Sequence, residues 1–354
     1  MKYPQRTLLL LLSAVTLYGL TIAAIRAPKD LPVPMRLSEF GFFDGDIAWQ
    51  APAPGVTPYT LNTPLFSDFA EKLRFVRVPD GKKVPYNDSA VLDFPVGTII
   101  MKTFYYPEDA RDPERGRQLM ETRVLVHEAE GWSAWPYIWN EEQTEAYLEV
   151  AGGTTKVEWR NQRGRKQKLD YSIPNKNQCN GCHVRHGKFT PIGPSVRQLN
   201  GRYPAVGGNQ LVHWRQEGFL TGGPPNITQA PRVPEWANAD DGTLNERARA
   251  WLDINCAHCH QPGGPAETSA LNLNLAETDP QALGVYKKPI AAGRGSGGLT
   301  YSIVPGKPKE SILLHRLNSD DPGVMMPELG RQLIYPEAVD LITEWIKEMP
   351  EPGE

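Results

Sequence analysis

Cysteine is scarce in this chain, at four residues among 354, and two Cys-x-x-Cys motifs use all of them. Methionine is absent from the whole stretch between His183 and Met325, so a haem attached just before that stretch has no local thioether ligand. An excess of one charge is lacking too. The formal net charge is −3, which gives no reason to expect a nucleic-acid partner. No cysteine stands at the end of the N-terminal apolar run, so a lipoprotein anchor is not expected. The glycine-rich run Gly293-Arg-Gly-Ser-Gly-Gly298 has no Lys-Ser/Thr after it and no strand before it, so it is not a phosphate cradle. A loop at a haem edge, with Arg294 free to pair with a propionate, is the expectation there.

What is present begins with an export pattern. Lys2 and Arg6 precede an uncharged run from Thr7 to Ile25, as in a secretory signal. The run is nearly long enough to span a bilayer, so an uncleaved inner-membrane anchor is the other reading. Either one sends the bulk of the protein to the periplasm.

Both Cys-x-x-Cys pairs are followed directly by histidine: Cys179-Asn-Gly-Cys182-His183 and Cys256-Ala-His-Cys259-His260. Two thiols at that spacing meet the two vinyl groups of a haem, and the histidine meets its iron. A zinc ribbon brings its knuckles closer together than Cys182 and Cys256, and it gives no role to the two histidines. A thioredoxin-type dithiol requires a βαβ setting that neither motif has. Simple disulfides also leave the histidines unexplained. The cofactors expected are therefore two covalent haem c groups.

Hydrophobic content of 40% and nine tryptophans suffice for buried cores. Residues 1–26 read as signal or anchor, 27–171 as a β-rich domain, 172–226 as a first haem segment, 227–242 as a linker and 243–350 as a second cytochrome c-like domain. The expected fold is multidomain, an N-terminal all-β sandwich or small barrel followed by mainly α haem domains. Leu73–Val78 and Lys82–Tyr86 read as strands about the Pro79-Asp-Gly81 turn. Further strands are expected at 96–106, 121–127 and 132–139, with a hairpin over 157–171. Trp135, Tyr137 and Trp139 alternate as a buried face does, which favours core packing over a ligand platform.

Pro174 limits any helix ahead of Cys179. Gly193-Pro194 lies where a carbonyl would receive the His183 ring N–H and fix its orientation. Residues 209–220 have helical spacing and carry His213, the first candidate for the sixth ligand of this haem, ahead of Met101 or Met120 from the β region and an open position. In the second unit, Asp240 or Thr243 caps a helix through Ile254 that delivers Cys256 to His260, and Pro336 to Met349 closes the chain as a helix. Met326, just before Pro327, is expected as the distal ligand of the second haem, where a thioether raises the potential.

Ile303-Val-Pro-Gly306, Ser311-Ile-Leu, Arg316-Leu and Met326-Pro327 through Trp345-Ile346, together with the two motifs, resemble a family of exported bacterial di-haem c-type cytochromes. Glu121-Thr-Arg and Gly131-Trp132 through Tyr137-Ile-Trp-Asn140 add to that resemblance. It implies haem binding and single-electron transfer between exported or membrane-bound redox proteins, donor and acceptor, with haem attached by the cytochrome c maturation machinery. The alternative is a peroxidase-like di-haem oxidoreductase with an open sixth position at the first haem.

Overall fold

The computed structural model describes residues 32–351, so the expected signal or anchor lies outside the described residues. Residues 35–351 belong to one compact unit. Its strands, in chain order, are β1 (Thr57–Tyr59), β2 (Glu71–Arg77), β3 (Val84–Pro85), β4 (Ile99–Pro107), β5 (Arg117–Glu128), β6 (Gly131–Trp139), β7 (Ala146–Leu148), β8 (Gly153–Arg160) and β9 (Lys166–Ile173), with shorter pairings beyond. The helices are α1 (Lys176–His183), α2 (Val196–Leu199), α3 (Gln210–Gln216), α4 (Leu244–Leu252), α5 (Pro280–Leu283), α6 (Ile312–Leu317) and α7 (Pro336–Glu348). Among the described residues no helix is long and apolar enough to cross a membrane.

The dominant element is a six-stranded sheet in the order β1-β2-β4-β5-β6-β7, every pair antiparallel. Aromatic and β-branched residues fill these strands, and tight turns such as Ala129-Glu130 join them. Trp135, Tyr137 and Trp139 are all buried, and Trp135 also borders the cavity described below. The β8–β9 hairpin packs Val157, Trp159 and Tyr171 against Phe104, Tyr106 and Met120 of the sheet.

Two parts of the expected fold class are not met. One sheet with a hairpin laid on it replaces the sandwich or barrel, since no second sheet of similar size is built from the described residues. Mainly α cytochrome c-like domains do not follow either. The seven α-helices among the described residues are short, and the longest, α7, has 13 residues. Proline and glycine, 33 and 32 residues in the chain, interrupt the helical runs, and turns and loops take their place. The expected hairpin about Pro79-Asp-Gly81 is also absent. β3 instead pairs in parallel with Leu220–Thr221, far along the chain.

One core joins sheet residues Val76 and Ile100 to Leu92 and Phe94, to Leu211 and Trp214 of α3, and to Ile254 beside the second motif. A fully buried side chain of this kind contributes about 1.5–3 kcal/mol. A second core packs Trp251 and Leu252 of α4 against Leu341, Ile342 and Trp345 of α7. Residues 227–242 are held in the fold as well. Asn62 Nδ2 donates to the Val233 carbonyl at 3.1 Å, and Thr63 Oγ1 donates to the Pro234 carbonyl at 2.6 Å.

Candidate cofactor site

Helix α1 starts at a capping box. Asn175 Oδ1 accepts from the Gln178 N–H and Gln178 Oε1 accepts from the Asn175 N–H, both at 2.9 Å. Pro174 stands just before it, which is why the helix reaches no further back. Helical spacing then sets Cys179, Cys182 and His183 on one face, at i, i+3 and i+4. The His183 ring stacks on Phe189 with centroids 4.6 Å apart. Its Nδ1–H donates to the Thr190 carbonyl at 2.8 Å, an acceptor that fixes the tautomer and leaves Nε2 for a ligand. Gly193-Pro194 does not supply that acceptor. Its carbonyls receive the N–H groups of Ser195 and Leu92 instead. Burial, followed by the Lys102 charge, brings His183 down to about 3, so its ring is neutral near pH 7.

The second motif follows α4, whose N-cap Thr243 accepts from the Glu246 N–H at 3.2 Å and completes a capping box. Residues Asp253–Ala257 then widen into a π turn that carries Cys256. His260 Nδ1 donates to Ser269 Oγ at 2.9 Å, and that hydroxyl in turn donates to the Ala266 carbonyl at 2.7 Å. Nε2 is again left over. Burial, ahead of the His258 and Arg316 charges, lowers His260 to about 4. Burial also pushes the Cys256 thiol up to about 12.

The two motifs meet. One ligand atom each of Cys182, His258 and Cys259 lies within 4.8 Å of the others. Cys259 first and then His258, close beside it, hold the Cys182 thiol well below the usual range, while Cys259, whose Sγ donates to the Gly181 carbonyl at 3.5 Å, is raised. The loops beyond the motifs also touch, through the His186 N–H and the Gly263 carbonyl at 2.8 Å.

A cavity of about 480 Å³ opens against α1, within the range of a bound cofactor. Cys179, Cys182 and His183 border it on one side and Met325 and Met326 on another. Arg331 ties the methionine loop down by donating to the carbonyls of Met326, Leu333, Arg316, Leu317 and Ser319. Asp68 accepts from the Gln332 and Leu333 N–H groups at 2.8 and 2.7 Å. Met326 is thus brought together with Cys179, Cys182 and His183 of the first motif and with His258 of the second, while Cys256, Cys259 and His260 do not border this cavity. His213 is not brought to it. It lies on α3 with Nε2 3.9 Å from Glu217 Oε1. Arg294 pairs with Asp321 at 2.9 Å, so its charge is already partnered.

The sheet contributes a wall that sequence reasoning missed: Lys72, Arg74, Lys102 and Arg123. The only signal was the alternation in Lys72-Leu-Arg74, which reads equally as a solvated face. Thiols, free imidazole nitrogens, a thioether and apolar side chains such as Leu61, Ile100 and Leu125 make a donor set and lining that fit a covalently attached haem. Comparison of the chain with protein families, curated proteins and solved structures finds no match.

Proposed function

We propose that the chain is an exported di-haem c-type cytochrome that passes single electrons between exported or membrane-bound redox partners. The observation that carries this reading is the matched state of the two histidines. Each follows a Cys-x-x-Cys pair, engages its Nδ1 in a hydrogen bond, and among the described residues has no hydrogen-bond partner at Nε2. Cys179 and Cys182 would form the thioether bonds of the first haem, with His183 as axial ligand; Cys256, Cys259 and His260 would do the same for the second. Bound iron supplies reversible one-electron chemistry. Met326 is assigned to the first motif because it borders the same cavity, in place of the earlier pairing with His260. A peroxidase-like enzyme with an open first site loses its main support, the missing methionine.

The Cys182, His258 and Cys259 cluster favours a second reading, a thiolate–imidazole metal centre. The two exclude each other, because a sulfur alkylated by a haem vinyl group is no longer a thiolate. Intact mass of the protein matured in an export host decides between them. Two covalent haems are expected, and each of Cys179→Ser and Cys256→Ser should weaken or remove one attachment. A haem-free chain holding one stoichiometric zinc or copper would refute the cytochrome and support the metal centre.

A further inference from the structure

The inner face of the sheet gathers four basic side chains, of which one has a carboxylate within ion-pair distance among the described residues. Register sets Arg74 beside Lys102 and Lys102 beside Arg123, with Lys72 opposite Phe104. All four cations border the cavity. Three of them crowd one ring, since Lys72 Nζ, Lys102 Nζ and Arg123 Cζ lie 5.7, 5.1 and 4.3 Å from the Phe104 centroid. Arg123 alone of the four has a carboxylate, a two-point pair with Glu121 at 2.9 and 2.6 Å. Arg74 is 6% exposed, and its hydrogen bond is a long one to the Lys72 carbonyl at 3.4 Å. Lys72 donates to the Ala70 carbonyl at 2.8 Å, and Lys102 has no hydrogen-bond partner among the described residues.

The other charges around the cavity relieve this in part, Glu71 and Asp68 acting on Lys72 and Glu121 on Lys102. Asp68 is taken up by backbone amides, Glu328 lies 3.7 Å from Arg316, and Arg331 adds a further cation. Asp170 also borders the cavity and forms no ion pair. Burial first and then Arg74 bring Lys72 down to about 7, and burial followed by Arg123 and Arg74 lowers Lys102 well below its usual range. Lysines crowded in this way avoid the cost of unpaired charge by giving up protons, and an anion among them makes their charged forms favourable again.

We infer that Lys72, Arg74, Lys102 and Arg123 form a receptor for carboxylate groups entering the cavity between the sheet and α1. The carboxylates come either from the propionates of a porphyrin held by Cys179 and Cys182 or from a diffusible carboxylate. The first source rests on the di-haem reading; the second does not.

The test compares the full exported chain with Lys102→Gln, Lys72→Gln and the charge-keeping Lys102→Arg, after intact mass has counted the haems. If the propionates are the ligand, Lys102→Gln shifts one haem potential downward and lowers the melting temperature, Lys102→Arg restores both, and added succinate does nothing. If a diffusible carboxylate is the ligand, succinate raises the wild-type melting temperature saturably, and Lys102→Gln weakens that binding by about tenfold or more, the effect of losing one charge-assisted bond. Lys72→Gln reads the same quantities should Lys102→Gln fail to fold. Unchanged potential and melting temperature in the variants, with no succinate effect on wild type, overturn the receptor. A haem-free chain removes the di-haem reading alone, and the succinate arm then decides the receptor by itself.

Discussion

Replacing Arg331 by alanine tests whether the methionine loop is held as described. Arg331 is 6% exposed and donates to five backbone carbonyls, at 3.0 Å to Met326, 3.1 Å to Leu333, 3.1 Å to Arg316, 3.4 Å to Leu317 and 3.0 Å to Ser319. The Arg316 carbonyl keeps a second donor in the Met326 N–H at 3.1 Å. Each buried acceptor left unsatisfied costs about 1–3 kcal/mol, though water entering the vacated space offsets part of that. The sum expected is about 3–5 kcal/mol, as for breaking other buried charge networks. For a unit of this size that is a fall in Tm of roughly 10 °C. Circular dichroism melts of the matured protein measure it. Arg331→Lys should fall between the two, because one ammonium cannot reach carbonyls spread along residues 316–333. A melting temperature for Arg331→Ala within about 2 °C of wild type would refute the reasoning.

Met326→Ala should lower the potential of one haem and leave the other in place, read by spectroelectrochemistry; two unmoved potentials would remove Met326 from the ligand set. His213→Ala should leave the optical and EPR spectra unchanged, since His213 stands outside the cavity, and a new high-spin signal would contradict that. Gly263→Ala should destabilise the protein by more than about 1 kcal/mol in denaturant titration, because its φ is +76° and a Cβ there would lie 2.2 Å from His186 Nδ1. A neutral result would mean that the contact between the two motif loops is slack.

Patterns of local origin were legible in the sequence. The cap at Thr243, the start at Pro336 and the apolar stripe of Leu341, Ile342 and Trp345 marked α4 and α7, because caps and periodicity act within a few residues. The strands from Ile99 to Trp139 were legible for the same reason. Features set by distant partners were not. Nothing near Val84 announces its pairing with Leu220, and nothing near Lys72 announces that it borders a cavity shared with α1. The Thr190 acceptor for His183 was missed because a Gly-Pro lay close by in sequence, whereas the turn of chain after α1 decides which carbonyl meets the ring. The mainly α expectation failed because a Cys-x-x-Cys-His motif specifies local chemistry and leaves the surrounding scaffold open.

That scaffold is shared between the ends of the chain, and this makes a last prediction. An eight-residue helix such as α1 is too short to be stable alone, so the face that carries the first motif depends on what packs around it. Part of that packing comes from beyond residue 242. Asn255 Oδ1 accepts from the Phe66 N–H at 2.8 Å, Phe66 stacks on Tyr335 with centroids 4.2 Å apart, and Asp68 holds the amides of Gln332 and Leu333. A chain ended at Gly242 would strip Asp68 of those donors, take the stacked ring from Phe66 and remove Ile254 from the core it shares with the sheet. A fully buried side chain such as Ile254 contributes about 1.5–3 kcal/mol, and together these losses are comparable with the net stability of many folded units. The shortened chain should therefore show no cooperative thermal transition, while the full chain melts in one step. A shortened chain that melted cooperatively within a few degrees of the full one would mean that the first motif and the sheet form a self-sufficient domain. The contacts through Asp68 and Phe66 would then be secondary to its stability.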